Sequence, residues 1–174
     1  MEFLGRFSLT LEELDIGKFT QALPESAYEI IFNQFHRLKT LRVILESAPS
    51  TSQFYNRLRV NPSVTKLIVD DVKAIEKQAL FGMLSKLPNL DTLIINTDSV
   101  NQEVLLFIAT NSTNIKTLAV RKIFGLATAL RNVRMPNLRN LTICELKYAK
   151  ADAWKAFVKA VMNLESLAIN KSET

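Results

Sequence analysis

The sequence predicts an α/β solenoid of about seven repeats, with a parallel sheet on its concave face and helices on its convex face. Three observations predict it. A pattern of apolar, two variable, Leu, one variable, aliphatic occurs at Leu11-Leu14-Ile16, Leu38-Leu41-Val43, Val64-Leu67-Val69, Leu90-Leu93-Ile95, Ile115-Leu118-Val120, Leu138-Leu141-Ile143 and Leu164-Leu167-Ile169. The middle leucines follow one another at 27, 26, 26, 25, 23 and 26 residues, a near-constant period of the kind that marks a stacked array. Between these stretches the apolar period changes from two residues to that of a helix.

Each stretch alternates in its second half, so the Leu and the following aliphatic share one side of a short strand and the residue between them faces the other. After the first strand, Pro24-Glu25 reads as the first helical position with an acid in the opening turn, and His36 ends that helix. In the second repeat, Ser47-Ala48-Pro49-Ser50-Thr51-Ser52 delays the helix, which leaves a loop and makes Phe54, Tyr55 and Leu58 the packing residues. In the third, Ile75, Ala79, Leu80, Met83 and Leu84 fall on one helical face. Val104, Leu105, Ile108 and Ala109 do the same in the fourth, with Ser99 as a loose cap before Glu103. Ala153, Trp154, Phe157, Val158 and Val161 do so in the sixth, and Phe107 joins the packing residues. A longer phrase recurs at the strand entries, as in Pro88-Asn89-Leu90, Pro136-Asn137-Leu138, Asn163-Leu164 and Asn114-Ile115.

Over about residues 9–172 these units resemble leucine-rich repeats, specifically the longer helical type of ribonuclease-inhibitor-like proteins and of the repeat domains of F-box proteins. The resemblance implies a horseshoe that acts as a non-enzymatic protein-interaction module, such as the substrate-recognition repeats of an F-box ubiquitin-ligase receptor. The family places Asn or Cys eight residues after the first Leu of each unit. Here those positions are Phe19, Glu46, Val72, Asp98, Ile123, Leu146 and Ser172, so that ladder is absent and apolar plugs at Phe19, Val72, Ile123 and Leu146 are expected to hold irregular turns. Leu23 to Phe32 looks like the opening of an F-box, but strands on both sides interrupt it and it reads as the helix of the first repeat. No repeat buries its apolar face alone, and neither end carries an evident cap. Residues 1–174 therefore read as a single domain that is a fragment of a longer solenoid, with oligomerisation through the uncapped ends open to it.

Composition narrows function. With 48% hydrophobic residues and only four Gly and five Pro, the chain can build a core rather than remain disordered. A single cysteine, Cys144, and a single histidine, His36, supply neither a disulfide framework nor a four-ligand zinc set. Any Ser-His-Asp or Cys-His chemistry would have to run through His36, and no phosphate-binding glycine loop is present. No catalytic residue, metal site or cofactor is expected. The N-terminus has neither a basic segment nor a long apolar run, so the chain reads as cytoplasmic or nuclear, without membrane insertion. The sequons at Asn111, Asn140 and Asn170 would matter only in a secreted chain.

Binding residues follow from strand alternation. The position between Leu and aliphatic reads Asp15, Arg42, Ile68, Ile94, Ala119, Thr142 and Ala168, and two positions later come Gly17, Ile44, Asp70, Asn96, Arg121, Cys144 and Asn170. Ile44, Ile68 and Ile94 are expected side by side on this uncovered face as a protein-binding patch, with Arg42, Lys66, Asp70, Asn96 and Arg121 as its polar rim. An alternative partner, nucleic acid or another anionic surface, follows from charge. Residues 1–114 hold 11 basic and 13 acidic residues, net −2, whereas residues 115–174 hold 11 basic and 4 acidic, net +7. That alternative site comprises Lys116, Lys122, Arg131, Arg134, Arg139, Lys147 and Lys150, with few aromatics free to stack on bases.

Overall fold

A computed structural model describes residues 6, 7, 9–17, 23–45, 48–70, 77–97, 100–124, 134–147 and 151–169. Strands β1 (Glu13–Asp15), β2 (Thr40–Val43), β3 (Lys66–Asp70), β4 (Thr92–Asn96), β5 (Thr117–Phe124), β6 (Asn140–Lys147) and β7 (Ser166–Ile169) form one sheet in sequence order. Every neighbouring pair is parallel. The register follows the leucine alignment throughout: Leu14 pairs with Leu41, then Leu67, Leu93, Leu118, Leu141 and Leu167. A one-residue slip would turn every buried leucine to the other face, so the apolar pattern sets the pairing.

Helices α1 (Glu25–Gln34), α2 (Ser52–Arg57), α3 (Lys77–Leu84), α4 (Gln102–Asn111) and α5 (Ala151–Ala160) connect successive strands. Crossovers between parallel strands are almost always right-handed, and a chain that always steps in one direction then keeps its helices on one side of the sheet. The core agrees: Tyr28, Phe32, Phe54, Leu80, Ile108 and Phe157 of the helices belong to one apolar cluster with Leu41, Leu67, Leu93, Leu118 and Leu141.

Local chemistry explains the element ends. Asn101, not Ser99, caps α4, its side-chain oxygen accepting from the Val104 amide at 3.1 Å. Asn101 is the residue with extended backbone beside the first turn. Pro24 occupies the cap position of α1 rather than the first helical one, because its ψ of 154° is extended and Glu25 opens the helix. In the second repeat the helix is only six residues long, capped by Thr51 through the Phe54 amide, and Phe54, Tyr55 and Leu58 are buried as expected. Gly82 faces the Tyr55 ring so closely that a Cβ would overlap it. Phe107 is partly buried and stacks on Phe81 of the neighbouring helix, the rings 3.8 Å apart and 12° from parallel.

The expected plugs meet a different geometry where they are described. Ile123 is buried, but in β5 rather than a turn, and its backbone pairs with Leu146 in β6 and with Val100. These two strands run on for eight residues each, past the stretch that the leucine pattern marks. Phe19, Val72 and the stretches around Glu46, Asp98 and Ser172 lie outside the described residues, as does the side chain of Trp154. No helix among the described residues is long and apolar enough to cross a membrane.

Two repeated hydrogen-bond series join the units. At each strand entry one carbonyl accepts two consecutive amides: Glu12 from Lys39 and Thr40, Lys39 from Thr65 and Lys66, and so on through Thr65, Asp91 and Lys116 to Arg139, which accepts from Glu165 and Ser166. Beside it runs an asparagine ladder. Asn89 donates its side-chain amide to the Pro62 carbonyl, Asn114 to Pro88, Asn137 to Thr113 and Asn163 to Pro136, all at 2.8–2.9 Å. Each rung satisfies a loop carbonyl of the preceding unit, which would otherwise depend on water.

Candidate functional site: the open face of the sheet

The strand residues that alternate with the core leucines are half-buried or exposed and stand outside the core cluster. Strand pairing places Asp15, Arg42, Ile68, Ile94, Ala119, Thr142 and Ala168 in one row across all seven strands. The row below it, Glu13, Thr40, Lys66, Thr92, Thr117, Asn140 and Ser166, is wholly polar. Ile68 and Ile94 are direct partners on adjacent strands. Their side chains are half-buried, so they form a shallow two-residue patch instead of a fully exposed one.

The expected three-isoleucine row is corrected by this register. Arg42, not Ile44, pairs with Ile68, and Ile44 follows the last residue of β2, at the level of Asp70. Ile44 therefore stands diagonally from Ile68 and does not touch Ile94 through a shared row. The expected rim also differs, because its members bind one another. The Arg42 Nε donates to Asp70 Oδ2, and its guanidinium lies 3.9 Å from Asp15 Oδ2. Asn96 Nδ2 donates to the other Asp70 oxygen at 2.8 Å.

Gly17 closes this cluster. Its amide donates to Asp15 Oδ1 at 2.9 Å, and a Cβ there would approach Asp15 and Asp70 oxygens to 3.3 Å. The hydrogen bond and charge of Asp70 raise the Arg42 pKa above its ordinary value, so the guanidinium stays charged at every accessible pH. Four strands thus present a fixed polar corner, one guanidinium between two carboxylates with an amide beside them, next to the Ile68–Ile94 pair. Lys66 is half-buried in the lower row, and Arg121 is exposed beyond Ala119 on β5. On the lower rim Glu12 pairs with Lys39 at 2.9 Å and with Arg37 at 3.5 Å, and Lys39 foremost holds its carboxyl below the usual carboxylate range.

Among the described residues, some basic residues of the C-terminal half are engaged and others are exposed. Lys122 lies 3.4 Å from Glu145 with both side chains mostly covered. Arg139 spans backbone carbonyls of Pro136, Leu138 and Asn163 and pairs with Glu165 at 3.3 Å, so it staples two units. Lys116 and Arg134 are exposed, while Arg131, Lys150 and the side chain of Lys147 lie outside the description.

His36 sits in the turn before β2 and Cys144 in β6, four strands apart, which at about 4.8 Å per strand is about 19 Å. Among the described residues no group of His, Cys, Asp or Glu is placed to hold a metal ion. The arrangement can instead offer apolar contact flanked by oriented charges and amides. Sequence reasoning missed the asparagine ladder, although the recurring Pro-Asn-Leu phrase was its signal. Compared with known proteins, the chain matches no family model, no curated protein and no solved structure.

Proposed function

We propose that this chain is a non-enzymatic protein-interaction module of the leucine-rich-repeat type, a horseshoe that holds another protein against the open face of its sheet. One observation carries the reading: Ile68 and Ile94 adjoin on a parallel sheet face that lies outside the core cluster, next to the fixed Arg42–Asp70–Asn96 corner. Parallel sheets are ordinarily covered on both faces, so an open one with an apolar centre and polar surroundings suits a partner that supplies the cover. The rigid corner adds orientation, because charges already held in place lose little freedom on binding. The resemblance to F-box-protein repeats makes the partner a substrate destined for a ubiquitin ligase, with the chain as its receptor.

The test separates binding from folding on the same strands. A chain with Ile68→Thr and Ile94→Asp should lose capture of its partners from a cell lysate, since interface energy concentrates in a few central anchors. Its melting should change by no more than about 1 kcal/mol, because both residues stand outside the core cluster. A folded double variant that captures every partner as before would remove the open face as the binding site.

A further inference from the structure

We infer that the open face takes an extended polypeptide laid across its strands, with an Arg or Lys over β1 and an aliphatic side chain four residues away over Ile68 and Ile94. The inference rests on the open face being the binding site and names the chemistry of its occupant. Charge supplies the first half. Glu13 and Asp15 stand exposed, two residues apart on the same face of β1. Asp70 is occupied, taking the Arg42 Nε on one oxygen and the Asn96 amide on the other. Among the described residues Asp15 accepts one hydrogen bond, from the Gly17 amide, and stands 3.9 Å from the Arg42 guanidinium, while Glu13 has no ion pair. Lys66, in the same row as Glu13, is two strands from it, about 10 Å at about 4.8 Å per strand. The acidic excess is thus confined to β1 and faces outward, and a partner's cation is its complement.

Spacing and backbone chemistry give the rest. The middle of the Ile68–Ile94 pair is two and a half strands from β1, about 12 Å on the same scale. An extended chain, at about 3.3 Å per residue, covers about 13 Å in four residues, an even number that keeps both side chains toward the sheet. A helix spans the same gap in about eight residues. The remainder of the face decides between them. Around and beyond Ile94 it presents Asn96, Thr117, Asn140 and Thr142, uncharged groups that are half-buried or exposed. Asn140 donates to Thr117 at 3.3 Å, and the pair keeps an amide oxygen and a hydroxyl proton to offer. A helix satisfies its backbone internally and would leave such groups unused, whereas an extended chain brings N–H and C=O groups that need partners once covered. Ala119, beside Thr142, keeps this part of the surface low enough for a main chain to approach.

The probe is a library of random dodecapeptides displayed on phage and selected on the immobilised full chain. Enriched peptides should carry Arg or Lys four positions from Leu, Ile, Val or Met. One of them, synthesised with a fluorophore and followed by anisotropy, should bind about tenfold more weakly to a chain with Glu13→Gln and Asp15→Asn. Replacing its base by Gln should weaken binding by the same factor on the parent and leave binding to that variant unchanged. Asn at position 15 keeps the oxygen that accepts from Gly17, and Glu13→Gln alone, at an exposed site, serves if the double variant fails to fold. Enrichment of aliphatics that Ile68→Thr with Ile94→Thr abolishes, with no base at the expected distance, overturns this inference and leaves the open face as the site. A base seven or eight positions from the aliphatic also overturns it, since the occupant would then be a helix. Peptides that bind the Ile68→Thr, Ile94→Thr chain as they bind the parent overturn the open face itself, and a selection on folded chain that enriches nothing overturns the peptide occupant.

Discussion

Thr97 is fully buried and its hydroxyl has no hydrogen-bond partner, a cost that the fold accepts immediately after β4. A lone buried hydroxyl is destabilising, and valine has nearly its shape without the oxygen. Thr97→Val should therefore raise stability by about 1 kcal/mol in a denaturant melt, and a loss of similar size would show that the hydroxyl is satisfied in solution. Tyr28 gives a second test at this scale. Burial pushes its phenol up to about 12 from 10, so the folded state favours the protonated form. The resulting stabilisation is complete below pH 10 and is lost as pH rises through 10 to 12, by up to about 3 kcal/mol. A Tyr28→Phe chain lacks this titration, and its stability relative to the parent should rise across that window while staying level from pH 7 to 9. Parallel curves over the whole range would place the phenol in contact with water.

Elements were legible in unequal degree. All seven strands and the pairing of their leucines could be read from the leucine alignment, because alternation admits one register with a buried face, whereas the continuation of β5 and β6 to eight residues could not. Helix starts were harder, since Asn101 and Ser99 are both good caps and only the backbone angles choose between them. The open-face row from Asp15 to Ala168 was legible for the same reason as the strands. Its internal pairing was not: whether Arg42 reaches Asp70 or water depends on side-chain conformation two residues along a neighbouring strand. The asparagine ladder was visible only as a phrase, because a residue's partner one unit away is not written beside it. Asn114→Ala removes one rung, the 2.8 Å bond to Pro88, at an exposed site where water can replace it. The loss should be about 1 kcal/mol by denaturant melting, and faster hydrogen exchange should be confined to the β4–β5 entry. Exchange that accelerates evenly along the chain would deny the rungs a local role.

For the whole molecule, charge is divided between a half of net −2 and a half of net +7, and in the basic half Lys122 and Arg139 already have carboxylate partners. Duplex DNA titrated at about 50 mM salt should show only weak binding, with a shallow dependence of log affinity on log salt, as few phosphates would be neutralised. A steep dependence, with several phosphates contacted, would move the functional assignment to the basic half.

The even spacing of the strands also has a kinetic side. Leucine partners in neighbouring strands are separated by 27, 26, 26, 25, 23 and 26 residues, and among the described residues no strand pairs with one further away. Each docking event closes a loop of nearly the same length, at an entropy cost of roughly 3 kcal/mol plus a constant that does not grow as the sheet widens. Strand contacts therefore keep a fixed sequence separation however many units are joined, and relative contact order falls as length increases. An all-parallel sheet, slow to assemble when distant strands must meet, can here grow outward from any pair that forms first.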